Sequence, residues 1–126
     1  MSALALFCLA TVPFLAYRDL VVPEIRAVEV WLGFELHGTA ALASAPLHWA
    51  IFLLGAWGFW RQRPWIVPAA AGYAFYVALG HFVWSITSPR GYGAFAGVAM
   101  AAAFSLPGFV LLAVERTRRR AAAGGP

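Results

Sequence analysis

The sequence predicts an all-α, polytopic membrane protein: a four-helix bundle with both termini on the cytoplasmic side and a short interfacial helix before its second span. Three observations carry this. Of the 126 residues, 63% are hydrophobic and only 11% are charged, more apolar surface than a soluble domain of this size hides in one core. Four apolar stretches reach the roughly 20 residues that cross about 30 Å of hydrocarbon. The arginines cluster beside the ends of those stretches, where they act as topology signals.

The first span covers about residues 2–22. Its opening "MSALALFCLATVPFLAY" has neither a basic leader nor a small-x-small cleavage site, so it reads as a retained helix rather than a signal peptide. The lone Cys8 excludes an internal disulfide, and "ALFC" lacks the small residue that precedes a lipidated cysteine, which leaves a small hydrophobe.

A single helix from Pro23 to Trp60 would run roughly 55 Å at about 1.5 Å per residue, too long for the hydrocarbon. Pro23 suits a first helical turn, and Ile25, Val28 and Leu32 fall on one side with Arg26 and Glu29 elsewhere. A short interfacial helix before Gly33 follows. The second span then covers about 36–60 and is expected to kink at Pro46. After "RQRP" the third span covers about 64–86, with Trp57, Trp60 and Trp65 as an inner aromatic belt and Trp31, Trp84 and Tyr92 as its outer counterpart. The fourth, about 93–115, carries Gly93, Gly97 and a run of alanines, a face that permits close helix approach to a partner either within the chain or in another copy. The chain is thus one transmembrane domain, 1–116, followed by a basic tail, 117–126, expected to be disordered.

"WRQRPW" and "ERTRRR" hold six of the nine arginines, which places both in the cytoplasm and gathers Asp19, Glu24, Glu29 and Glu35 at the outer face. The absence of lysine and the heavy alanine usage fit a GC-rich, bacterial genome and hence a bacterial plasma membrane. A net charge of +4 raises nucleic acid as a partner, but the arginines form no patch interleaved with aromatics, so none is expected. The partners expected are the lipid bilayer and a lipophilic small molecule, together with a homodimer or larger membrane complex through the small-residue face.

Polar side chains at membrane depth are costly and therefore candidates for function. Counted from the cytoplasmic ends, Asp19 lies roughly 25 Å, His81 about 24 Å and His48 about 18 Å up the bundle, with Glu35 and His37 some ten ångströms higher than His81. Asp19 and His81 could share a layer as a proton-relaying or cation-binding pair with Arg18 turned to the interface. Equally, Asp19 could pair with Arg18 or Arg26 in headgroup water, and His81 and His48 could each simply hydrogen-bond a carbonyl. His37 and His48, eleven apart, share a helical face, but a bis-histidine haem needs two ligands at one depth. No haem, metal or other cofactor is expected, since Cys8 is remote and the acids lack ligand spacing. No nucleophile motif, phosphate loop or paired catalytic carboxylates appear.

The order of features resembles the EXPERA family, which includes the emopamil-binding sterol isomerases and the sigma-two receptor. "VPFLAYRDLVVPE" looks like that family's first helix, with Asp19 at the position of its acid. Pro46 is similar to the second-helix proline, "WIVPAAAGY" to the start of helix three, and "SLPGFVLLAVER" to the proline-containing fourth helix. Where the family places a glutamate and a glutamine before the second-helix proline, this chain has Ala40 and Ser44. The loop after helix one is also shortened.

The resemblance implies an intramembrane cavity in which an acid protonates a ring double bond, carboxylates and aromatic faces steady the cation, and a base removes a different proton. Asp19, His81 and His48 are then the candidate catalytic residues. Glu35, Tyr73, Tyr76 and Trp84 are the candidate ligand-binding residues, the aromatics as cation–π walls. The function expected is binding of a sterol- or terpene-like or cationic amine ligand, with EXPERA-like isomerisation as its chemistry. A non-catalytic accessory subunit or assembly factor of a membrane complex is the alternative. A proton-coupled exporter is disfavoured because the first span holds only apolar residues, with no acid, before Arg18.

Overall fold

The computed structural model describes residues 2–24 and 26–124. Four helices dominate: α1 (Ser2–Val21), α2 (Gly38–Trp60), α3 (Ile66–Thr87) and α4 (Gly93–Ala122). Each is long and apolar enough to cross a membrane, as a multi-pass membrane protein requires. Their bounds lie within a few residues of the expected spans except at the end of α4, which continues through Thr117–Ala122. Those residues were expected to form the disordered tail. Glu115 accounts for part of the extension, because Arg119 Nε donates to its Oε1 at 2.7 Å one turn on, an i,i+4 acid–base order that favours helix.

The segment between α1 and α2 departs from expectation. It is an antiparallel β-hairpin, β1 (Val28–Trp31) and β2 (Phe34–His37), with Glu29 opposite Leu36 and Val30 opposite Glu35. The short interfacial helix is therefore absent over Val28–His37, and Ile25, on which it partly rested, lies outside the described residues. "VEVWLGFELH" reads as alternating strands about a two-residue turn. Leu32 at φ 51° and Gly33 at φ 86° give the turn the positive-φ pair that matches strand twist. Gly38 N–H donates to the Ala27 carbonyl at 2.9 Å and closes the hairpin's base.

The helices pack in two pairs. α1 lies along α2 and α3 along α4, whereas α2 and α3 meet only sparingly. Small residues set the α3–α4 approach. A methyl group at Gly108 would stand 2.8 Å from the Phe75 ring, and one at Gly97 3.0 Å from Ser85 Cβ. The close partner of the α4 small-residue face is thus α3 of the same chain. The pairs join at the α2–α3 turn, where Ala5, Cys8, Phe59, Ile66 and Val67 form the buried core, flanked by Phe52 and Leu111. At the same turn Trp57 and Trp65 lie 6.3 Å apart, with the Arg63 guanidinium 4.9 Å over the Trp57 ring. At the opposite end the hairpin stands between the pairs.

Candidate functional site

Strand alternation puts Glu29 and Trp31 on one face of the hairpin and Val30 on the other, beside Glu35 across the ladder. Each face meets a different helix pair.

Glu29 joins the hairpin to α1 and α2. Arg18 Nη2 lies 3.2 Å from its Oε1, and His48 Nδ1 lies 2.7 Å from its Oε2. Arg18 also donates from Nε to Asp19 Oδ1 at 2.6 Å, and Trp49 Nε1 donates to Asp19 Oδ2 at 2.9 Å. Asp19 and Glu29 are both 3% exposed. Two carboxylates are tolerated at such burial because one guanidinium and two ring N–H groups satisfy them. Burial alone pushes the Glu29 carboxyl up, but the hydrogen bond from His48 and the charges of His48 and Arg18 more than reverse it, and its pKa lies below the ordinary 4.5. An ionised carboxylate only accepts, so the shared proton sits on His48 Nδ1. Trp31 stacks on the His48 ring at 4.1 Å and 5° and fixes its plane.

Glu35 joins the other face to the end of α3. Trp84 Nε1 donates to its Oε1 at 2.7 Å, Ser88 Oγ at 2.8 Å, and Arg90 Nη2 lies 2.9 Å away. Partial burial opposes ionisation here, but these donors and the Arg90 charge outweigh it and bring the carboxyl down to about 2. The turn itself is seated on α3: Leu32 N–H donates to Tyr76 Oη at 3.0 Å, and Gly33 packs against Gly80 and Val83.

Two spaces result. A cleft of about 400 Å³ opens beside the hairpin, lined by Arg18, Val28, Glu29, Val30, His48, Trp84, Arg90 and Tyr92. Below the turn, where α2 and α3 diverge, an apolar crevice runs along Ile51, Ala69 and Tyr73. Its upper part, about 470 Å³, is roofed by Trp31 and Leu32 and walled by Tyr76. Its lower part, about 240 Å³, reaches Cys8, Phe59 and Ile66.

Against the expected site, the structure unites Asp19 and His48 through Arg18 and Glu29, and it joins Glu35 to Trp84. Tyr73 and Tyr76 stack at 5.7 Å and line the crevice together. His81 is not part of the group. It packs on Phe104 of α4 at 4.1 Å, and no hydrogen bond or ion pair links it to Asp19 among the described residues. Eight residues beyond Tyr73, it is turned roughly 80° around α3 and meets α4 instead. Nor is Asp19 open to a ligand, since Arg18 and Trp49 close over it. His37 lies on β2 rather than on the helix of His48, so the two share no helical face.

Sequence reasoning missed Glu29, which joins Arg18 to His48. Its signal was the period-two alternation of "VEVWLGFELH". The chain matches no family model, no curated protein and no solved structure.

Proposed function

We propose that this chain is a multi-pass membrane protein with both termini cytoplasmic that takes a lipophilic ligand, sterol- or terpene-like or a cationic amine, into the crevice between α2 and α3. The observation carrying this is the separation of α2 from α3 above their shared core, which leaves an apolar slot walled by Tyr73 and Tyr76 and roofed by Trp31. Concave apolar walls with aromatic faces and a few polar groups at one end are what such ligands require. The resemblance to EXPERA proteins supports the same reading, with isomerisation as its chemistry. The accessory-subunit alternative loses one of its supports, because the glycine face of α4 is occupied by α3.

Gly72 provides the test. It lines the crevice, and a methyl group there meets nothing within 4 Å, so the first side-chain carbon of Gly72→Leu has room and the rest projects into the slot. In lipid nanodiscs, a panel of a sterol, farnesol and an apolar tertiary amine should raise the unfolding temperature of the wild type and not of Gly72→Leu. No shift with any panel member, or equal shifts in both proteins, overturns the proposal.

A further inference from the structure

We infer that the cleft beside the hairpin is a proton-transfer site in which His48 Nε2 is the general base for a lipophilic carbonyl compound. The inference rests on the lipophilic-ligand reading for its substrate class and moves the chemistry out of the crevice.

The Glu29 carboxylate accepts from His48 Nδ1 at 2.7 Å, which in the neutral form of the imidazole leaves Nε2 as the nitrogen with a lone pair. That atom has no hydrogen-bond partner among the described residues. It is also not shut away: Trp31 Nε1 is the one buried, unpartnered side-chain atom found among them, and His48 lines the cleft. A base with a carboxylate behind it and a stacked ring holding its plane is the arrangement that proton abstraction needs.

The rest of the cleft fits the anion that abstraction creates. Arg90 gives Glu35 its Nη2 at 2.9 Å and is half exposed, so further N–H groups of its guanidinium remain for an oxygen. Arg18 also lines the cleft, while Val28, Val30, Trp84 and Tyr92 supply apolar surface for a hydrocarbon body. A guanidinium facing a carbonyl oxygen favours negative charge developing there.

The step balances without a co-reactant. Nε2 takes the proton from a carbon next to the carbonyl, and the C–H electron pair becomes the new C=C bond. The carbonyl π pair moves onto oxygen opposite Arg90, and the imidazolium returns the proton to the same carbon or to the far end of the conjugated system. The net result is hydrogen exchange or a double-bond shift into conjugation. This order, base first through an enolate, is the reverse of acid-first chemistry through a carbocation.

The probe is a β,γ-unsaturated ketosteroid in deuterated buffer with the full chain in nanodiscs, read by conjugated-enone absorbance and by deuterium content. Wild type should catalyse both. His48→Gln should lose about 100-fold or more in rate with the probe still bound, and imidazole should restore part of the rate to His48→Gly. Glu29→Gln should lower kcat more than it raises KM. A probe that binds without exchanging overturns this inference and leaves the ligand-binding reading standing. Exchange that survives His48→Gln also overturns it. A probe that does not bind overturns this inference alone when a member of the earlier panel binds, and overturns both readings when none does.

Discussion

Trp84 Nε1 donates to Glu35 Oε1 at 2.7 Å and so ties the second hairpin strand to the end of α3. With Ser88 and Arg90 on the same carboxylate, this contact fixes where the hairpin stands and which side of it is left open.

Its pH dependence follows from the sign of the shift. Glu35 titrates at about 2 in the folded chain against an ordinary 4.5, so between those values the unfolded chain binds more protons and acid favours unfolding. The stabilisation is fully present above about 4.5 and is lost as pH falls toward 2. The wild-type unfolding temperature should drop across that window, and Glu35→Gln should start lower and flatten the slope.

Asp19 is an anchor for Arg18 rather than a ligand contact. Asp19→Ala strips a buried partner from Arg18 and Trp49 and should cost about 3 kcal/mol. Asp19→Asn retains an acceptor and should cost less. Both should leave the ligand-induced rise in unfolding temperature intact. Loss of that rise in a folded Asp19→Asn protein would return the residue to the binding site.

Gly33 meets two constraints at once. Its φ is 86°, and a methyl group there would lie 2.5 Å from Val83 Cβ and 2.6 Å from the Gly80 carbonyl oxygen. Gly33→Ala should therefore destabilise by about 2 kcal/mol or more, measured by thermal unfolding, and should expose the cleft to small polar quenchers of tryptophan fluorescence.

Gly108 sets the distance between α3 and α4. Gly108→Val pushes into the Phe75 ring, 2.8 Å from the first added carbon, and should cost about 1–3 kcal/mol in unfolding experiments. Gly93, whose added methyl group would meet nothing within 4 Å, lies elsewhere on the helix. Its substitution should act only through its φ of 85°.

The four helices were readable because hydropathy over about 20 residues is a strong and local signal. The hairpin was not, for a physical reason. Over "IRAVEVWLGFELH" the residues Ile25, Val28 and Leu32 fit a helical face, while Val28, Val30 and the turn at Gly33 fit strands. A thirteen-residue stretch leaves the two periods nearly equal in weight. Placing Glu29 on the wrong element removed the link between Arg18 and His48, so the carboxylate centre was assigned to Asp19 and His81 from depth alone. Depth orders residues along the membrane normal but says nothing of rotation about a helix axis. That is why His48 and Glu35 were found in the constellation while His81 was not.

The pairing of α1 with α2 and α3 with α4, with little contact between the pairs, bears on biogenesis. Within each pair the helices make most of their contacts with one another, and the pairs share only the core at the α2–α3 turn. The β-ribbon can find both of its carboxylate moorings only once the second pair has arrived. Its docking is thus a suture made late in assembly, and chains stalled before Trp84 emerges would carry Glu35 without the donors that hold it in the finished molecule.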